Sequence, residues 1–149
     1  MLELTCIINV LNHKFMKKRI LIIDDDLGIC ALLSRFLSQN GYDSHTAESA
    51  QKGLSKLKES HYDAVLCDFR LGDRDAKEIL IAIKELNIHP IVIIMTGYSD
   101  IKTAVAVIKL GAYGYLTKPL IPIDILDILS NAFDEFAPKE RTKKVAVGA

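Results

Sequence analysis

The sequence predicts an α/β domain built on a doubly wound parallel sheet. Short aliphatic runs alternate with segments whose apolar residues recur at helical spacing, and this alternation occurs five times. Repeats of strand then helix fold with right-handed crossovers, so the strands are parallel and helices cover both faces of the sheet. A second observation is that acidic and polar residues follow directly after several aliphatic runs. In a parallel sheet those positions share the carboxyl edge, where ligands bind.

The first five predicted elements alternate from strand to helix. The opening aliphatic run suits a strand buried on both faces, and the helical pattern after it stops at Asn40-Gly41. The second strand is more polar, which favours an edge of the sheet. The second helix carries an alanine and two leucines at helical spacing, and the third strand is short and apolar. The predicted bounds are Arg19–Ile23, Leu27–Gln39, Tyr42–Ala47, Glu48–Glu59 and Ala64–Cys67.

The last five predicted elements begin with a helix and end with a helix. The fourth strand is the most hydrophobic, and the helix after it has Ser99 or Asp100 as its N-cap. The fifth strand is short and leads into Thr117-Lys118-Pro119. The predicted bounds are Asp75–Leu86, Pro90–Met95, Ser99–Leu110, Tyr113–Leu116 and Ile123–Phe136.

Composition narrows the classes of function. The 149 residues suffice for one domain with a sizeable core, and 19 acidic residues balance 19 basic ones, which gives no general attraction to nucleic acid or acidic membranes. Three widely spaced cysteines argue against a disulfide framework and a zinc site and fit a reducing cytosol. No run reaches the roughly 20 apolar residues of a spanning helix. We expect residues 1–15 to lie outside the core, residues 16–137 to form the domain, and residues 138–149 to be a linker or a disordered tail.

Side chains that can bind a metal ion or a phosphoryl group follow four of the predicted strands. Several carboxylates are expected to converge at one edge of the sheet without a matching cluster of bases, and a hard divalent cation such as Mg²⁺ relieves that repulsion. A lysine and a threonine hydroxyl at the same edge suit the oxygens of a phosphoryl group, and an aspartate can itself accept that group. These residues are Asp24, Asp25 and Asp26 after the first strand, Asp68 after the third, Thr96 after the fourth and Lys118 after the fifth.

Two neighbours of these residues are assigned structural roles. Asp26 is predicted to cap the first helix rather than bind a ligand. Cys67 precedes Asp68 in a strand and should point to the opposite face, as a core thiol rather than a redox sensor.

Four stretches together resemble the receiver domain of bacterial two-component response regulators. They are ILIIDDD, YDAVLCDFRLGDRDAKEIL, PIVIIMTGYSD and GAYGYLTKP, in the family's order and spacing. The resemblance covers about residues 17 to 137. The sequence is most similar to receivers of the nitrogen-regulator type, many of which precede an ATPase module. It implies a flavodoxin-like (βα)5 fold with strand order 2-1-3-4-5.

The resemblance also implies roles for individual residues. Asp68 would be the phosphoacceptor and would share a Mg²⁺ ion with the acidic pocket, Asp24 and Asp25, one of which binds directly and the other through water. The backbone carbonyl of Arg70 would complete the metal site. Further implied positions are Thr96 and Lys118 as ligands of the phosphoryl oxygens, Thr96 and Tyr115 as the switch pair, and a cis peptide bond between Lys118 and Pro119.

The implied activity is that of a signalling domain rather than an ordinary enzyme. It would take a phosphoryl group from a sensor histidine kinase, catalysing only its own phosphorylation and slow dephosphorylation, and would serve transcription regulation in the cytoplasm. It would itself contact neither nucleic acid nor membrane. The family often has proline at the place of Gly72, and this departure predicts altered mobility of the loop after Asp68.

The predicted fourth helix has two apolar stripes, of which one suffices to dock on the sheet. Because the family uses the fourth helix, fifth strand and fifth helix as an output or dimer face, Val107 and Leu110 are predicted to contact a second copy or an output domain.

Two alternative functions remain open. Haloacid-dehalogenase-like phosphatases also begin with a strand that ends in Asp-x-Asp, but they continue with Gly-Thr, where this chain has Leu27-Gly28. They also need acidic ligands at a strand end beyond the lysine. The second alternative is a receiver-like interaction module that no longer reacts, and the presence of every reacting group argues against it.

Overall fold

A computed structural model describes residues 16–97 and 101–137, together with Leu4. Five parallel strands form one sheet in the order β2-β1-β3-β4-β5, which confirms the predicted doubly wound (βα)5 architecture. Apart from Leu4, the segments 1–15 and 138–149 lie outside the described residues, so their predicted roles stay predictions. The elements are β1 Arg19–Ile23, α1 Leu27–Gln39, β2 Asp43–Ala47, α2 Ala50–Glu59, β3 Ala64–Asp68, α3 Ala76–Glu85, β4 Ile91–Thr96, α4 Ile101–Lys109, β5 Gly114–Thr117 and α5 Pro122–Glu135.

The sheet separates two hydrophobic clusters because successive strand residues point to opposite faces. In β1, Leu21 and Ile23 pack with α2, α3 and α4, whereas Ile20 and Ile22 pack with α1 and α5. All four side chains are fully buried. This two-sided burial explains why the strand reads as a continuous aliphatic run. None of the helices in the described part of the chain has the length and apolarity to cross a membrane.

Local chemistry fixes the ends of α1. The Asp26 carboxylate accepts hydrogen bonds from the N–H groups of Gly28 and Ile29, which confirms its predicted role as the N-cap. At the other end, Gly41 adopts a φ of +89°, a left-handed conformation that glycine reaches without strain. The helix therefore stops at the predicted Asn40-Gly41 pair.

A glycine inside α2 permits close packing on β1. A Cβ atom at Gly53 would lie 2.5 Å from Cδ1 of Ile23, a distance that no real contact tolerates. The absence of a side chain lets this helix approach the strand that ends at the acidic residues.

The prediction for the apolar stripes of α4 is wrong at Val107. Its side chain is 1% exposed and packs in the cluster beneath α2, α3 and α4, while Leu110 follows the helix and packs partly against the same cluster. The outward stripe consists instead of Ile101, Val105 and Ile108, which are 77%, 45% and 44% exposed. The physical reason is that Ala104 and Val107, three positions apart, share the face that packs on the sheet. The two predicted stripes therefore do not separate into an inner and an outer face. The proposed N-caps Ser99 and Asp100 lie outside the described residues.

Candidate functional site

Backbone pairing continues beyond the strands and positions the residues that follow them. Asp24 N–H donates to the Ala47 carbonyl at 3.1 Å, which extends the pairing of β1 with β2. Lys118 N–H donates to the Thr96 carbonyl at 2.7 Å, which extends the pairing of β5 with β4. Because Asp68 is the last residue of β3, beside Met95 of β4, these residues share the carboxyl edge as the sequence predicts.

Three carboxylates converge at this edge. Asp24, Asp25 and Asp68 each offer a carboxylate oxygen, and these oxygens lie within 4.8 Å of one another. Asp24 is fully buried, Asp25 is exposed, and Asp68 retains 13% of its side-chain surface. The cluster therefore combines one carboxylate in the protein interior with two that open toward solvent.

Lys118 links the buried carboxylate to Asp68. Its Nζ lies 3.1 Å from Oδ2 of Asp24 and 3.0 Å from Oδ1 of Asp68. The other oxygen of Asp24, Oδ1, accepts the backbone N–H of Asp26 at 2.9 Å. Both oxygens of the fully buried Asp24 are thus satisfied, as burial of a charge requires.

The pKa values of Asp68 and Lys118 depend on burial and on the charges around them. Burial raises the pKa of Asp68, the hydrogen bond from Lys118 opposes that rise, and the Asp24 and Asp25 carboxylates add to it. Burial lowers the pKa of Lys118, but its hydrogen bonds to Asp68 and Asp24 outweigh that effect and raise the pKa above its ordinary value. Lys118 therefore stays charged, and Asp68 pairs with it in a crowded negative site.

The remaining predicted residues lie at the same edge or next to it. Thr96 ends β4 and is 2% exposed, and its strand partner Thr117 directly precedes Lys118. The Lys118–Pro119 peptide bond is cis. Tyr115 is 38% exposed on β5, opposite Ile94 of β4, and hence on the side of the sheet that α4 covers.

Cys67 behaves as the sequence predicts, as a core thiol. It is fully buried against the α2, α3 and α4 side of the sheet, and its Sγ donates to the Asp68 carbonyl at 3.3 Å. Burial, followed by the charge of Asp68, raises the pKa of this thiol. A buried thiol of raised pKa is a poor nucleophile.

The loop after Asp68 contains a residue that the sequence does not single out. Arg70 and Asp75 form an isolated antiparallel bridge, and the Leu71 N–H donates to the Arg74 carbonyl at 3.1 Å. Between them, the Asp73 carboxylate accepts hydrogen bonds from two backbone N–H groups of α2. Asp73 follows a glycine and resembles any turn aspartate, so only the fold could reveal this contact.

The chemistry of the cluster suits a hard divalent cation. Three carboxylates and one ammonium carry an excess of negative charge, and Mg²⁺ prefers oxygen ligands of this kind. Asp24, Asp25 and Asp68 supply carboxylate oxygens that lie close enough together to share one ion. The donor set therefore fits the cation that the sequence predicts.

The chain is similar in sequence to known proteins. The family model of the response regulator receiver domain matches residues 20–130. The chain is 43% identical over 101 residues to the transcriptional regulatory protein ZraR of Escherichia coli K12, covering 68% of this chain and 23% of that protein. It is 38% identical over 112 residues to the acid tolerance regulatory protein ActR of Sinorhizobium medicae, covering 75% and 58%. The chain thus spans about a quarter of the length of the ZraR proteins it matches.

Solved structures share the fold. A CheY-like receiver domain protein from Methanospirillum hungatei superposes with a TM-score of 0.75 at 33% identity, covering 80% of this chain and 96% of that one. The beryllofluoride-activated receiver domain dimer of NtrC4 gives a TM-score of 0.75 at 34% identity, covering 80% and 98%. With the family model matched over most of its length and the acidic edge built as described, the chain belongs to the response regulator receiver domain family.

Proposed function

We propose that Asp68 accepts a phosphoryl group in a Mg²⁺-dependent reaction. The observation that carries this proposal is the position of the Asp68 carboxylate, which contacts Lys118 through Oδ1 and lies within 4.8 Å of the Asp24 and Asp25 carboxylates. Asp24, Asp25, Asp68 and the Arg70 carbonyl would hold Mg²⁺. When bound, the ion neutralises the oxygens of the incoming phosphoryl group and relieves the repulsion among the carboxylates.

The residues of the chain account for the rest of the transfer. An ionised Asp68 oxygen attacks phosphorus, so a P–O bond forms while the bond from phosphorus to the donor breaks. The donor keeps the electron pair of that bond, whether it is the imidazole of a kinase phosphohistidine or the carboxylate of a small acyl phosphate. Lys118 already pairs with Asp68 and would then contact a phosphoryl oxygen, as would the hydroxyl of Thr96. The same domain would release the phosphoryl group slowly by hydrolysis, without turnover of a further substrate.

Phosphorylation is proposed to switch a protein-binding face. Tyr115 and the outward stripe of α4 lie on the same side of the sheet, and their exposed side chains are mostly apolar. Thr96 would move toward the phosphoryl group, and Tyr115 would turn inward from its present exposed position. The contact residues of this face are proposed to be Ile101, Val105 and Ile108 rather than the buried Val107.

Partners follow from family membership. We propose a sensor histidine kinase as the donor, and a second copy of the chain or an output domain as the receiver of the switch. The NtrC4 receiver, which is similar to this chain, is a dimer in its activated form. Residues 16–137 are proposed to act as the receiver unit, in the cytoplasm and without direct contact to nucleic acid. Residues 1–15 would stay outside the core, and residues 138–149 would link or trail it.

Acetyl phosphate with Mg²⁺ tests the acceptor. Intact-mass spectrometry of the wild-type protein should show one added phosphoryl group that is stable in acid and lost in base. EDTA should abolish the adduct, and so should Asp68→Asn. Persistence of the adduct in Asp68→Asn would refute the acceptor assignment. Many turnovers of acetyl phosphate per protein would favour the phosphatase alternative, and an unreactive wild type would favour the interaction module.

Self-association tests the face. Sedimentation of the wild-type protein with beryllium fluoride and Mg²⁺ should show a shift toward dimer, which Val105→Glu should reverse. Leu32→Glu is the matched control because Leu32 is also exposed but lies on α1, across the sheet from α4. Equal association of all three proteins would exclude this face from the dimer contact.

A further inference from the structure

A single carboxylate ties the loop after Asp68 to the start of α2. The Asp73 side chain accepts the Ala50 N–H through Oδ1 at 3.1 Å and the Gln51 N–H through Oδ2 at 3.0 Å. Asp73 lies 23 positions after Ala50 and 22 positions after Gln51 in the chain, so both contacts join distant segments. Burial raises the pKa of Asp73, but hydrogen bonds from Gln51 and Ala50 outweigh it and hold the pKa below its ordinary value. The ionised carboxylate is therefore the form that makes both bonds.

Two side chains from different parts of the chain accept the free N–H groups at the start of α2. Ser49 is the N-cap, and its Oγ accepts the Lys52 N–H at 3.1 Å. Its carbonyl accepts the Gly53 N–H at 3.0 Å. The first two N–H groups of the helix, which have no partner within the helix, are those that Asp73 accepts. Ser49 thus caps the helix from the residue directly before it, whereas Asp73 caps it from the loop after Asp68.

The same loop is held at its base and is open at its middle. Phe69 N–H donates to the Met95 carbonyl at 2.7 Å, and Ala76 N–H donates to the Phe69 carbonyl at 2.8 Å. Gly72, next to Asp73, has no heavy atom within 4 Å of the position its Cβ would occupy. Glycine also has the largest backbone freedom to lose when a loop is ordered. The Asp73 contact is therefore placed where the loop has least packing of its own.

We infer that Asp73 is a positioning residue for the phosphoacceptor site, which clamps the 69–75 loop to the N-terminus of α2 and so fixes the Arg70 carbonyl relative to Asp68. This inference rests on the proposed function, because that carbonyl matters only if the site binds Mg²⁺. The loop then stays ordered although position 72 is glycine, because the Asp73 contacts supply the restraint that a proline ring would impose.

The test compares Asp73→Ala with Ser49→Ala. Both variants remove a side-chain cap from the same end of the same helix, but only Asp73→Ala releases the loop. Two quantities are measured: the Kd of Mg²⁺ by isothermal titration, and amide hydrogen exchange of residues 69–76 in metal-free protein. The melting temperature of each variant reports the loss that is due to the helix alone. Asp73→Asn, which keeps oxygen and shape but not charge, replaces Asp73→Ala if the latter does not fold.

Asp73→Ala is expected to raise the Kd of Mg²⁺ by about tenfold, the low end of the effect of residues that orient metal ligands. Exchange in residues 69–76 should accelerate in that variant, and both quantities should stay at the wild-type level in Ser49→Ala. Unchanged exchange in Asp73→Ala, or equal acceleration in both variants, would overturn the inference without Mg²⁺ being involved. A wild type that binds no Mg²⁺ would instead refute the proposed function, and the exchange measurement would still decide whether Asp73 holds the loop.

Discussion

The carboxyl edge of the sheet and the outer face of α4 differ in how they are specified. At the edge, topology alone gathers Asp24, Asp68 and Lys118, because parallel strands end on the same side. On α4, the rotation of one helix decides whether Val105 or Val107 faces solvent. The acidic edge can thus be predicted from the order of the strands, whereas the outer face of α4 depends on packing that two similar apolar stripes leave undecided.

The two regions also differ in what stabilises them. The edge concentrates charge in the interior, where Lys118 offsets the fully buried Asp24. The inner stripe of α4 is apolar and gains its stability from burial. Substitutions should therefore act through unpaired charge at the edge and through cavities on α4.

The largest effect is expected for Lys118→Met. Removing the ammonium leaves Asp24 buried without its ion partner, and we expect the free energy of unfolding to fall by about 3 kcal/mol, the low end for a broken buried pair because Lys118 is partly exposed. Chemical denaturation without Mg²⁺ measures this. Lys109→Met is the control, since Lys109 is an exposed lysine of α4. Equal stability of the two variants would contradict the account of the edge.

A smaller effect is expected for Val107→Ala on α4. Two methyl groups leave a packed core, which should cost about 2 kcal/mol. Val105→Ala, two residues earlier on the outward stripe, should change stability by less than about 0.5 kcal/mol. Thermal denaturation of both variants compares the stripes directly. Equal losses would show that the helix is not rotated as described.

The adjacent aspartates of the edge separate stability from metal binding. Asp26→Ala removes the cap of α1 and should cost about 1 kcal/mol with Mg²⁺ binding kept. Asp25→Ala should change stability little, because Asp25 is exposed, yet weaken Mg²⁺ binding by more than about tenfold. Denaturation and Mg²⁺ titration of the pair check both statements. Equal changes in unfolding free energy and in Mg²⁺ affinity in the two variants would show that Asp25 and Asp26 do not have different roles.

The smallest effect concerns pH and the Asp73 clamp. A carboxyl whose pKa is lowered by folding stabilises the protein above its unfolded pKa of about 3.9, and that stabilisation is lost as the pH falls through the folded value. The difference in unfolding free energy between wild type and Asp73→Asn should be under about 1 kcal/mol above pH 5 and shrink below about pH 4. A difference that grows on acidification would have the wrong sign. Denaturation series at several pH values measure it.

Sequence alone predicted the architecture and the residues brought to the edge, since both follow from the order of strands and helices. It also predicted the Asp26 cap and the buried Cys67, because capping and strand alternation are local rules. It could not predict the contact of Asp73 with α2, which joins distant segments through backbone N–H groups that carry no sequence pattern. Nor could it choose between the stripes of α4, because neither stripe carries a charge that excludes it from the core.

We propose that Asp68 takes the phosphoryl group, and reductive trapping identifies the modified residue by its position. The wild-type protein is phosphorylated with acetyl phosphate and Mg²⁺, reduced with borohydride, digested and sequenced by mass spectrometry. Reduction converts an aspartyl phosphate to homoserine. If Asp68 is the acceptor, homoserine appears at position 68 and aspartate remains at positions 24 and 25. Homoserine at position 24 or 25, or a phosphorylated protein with aspartate intact at position 68, would contradict it.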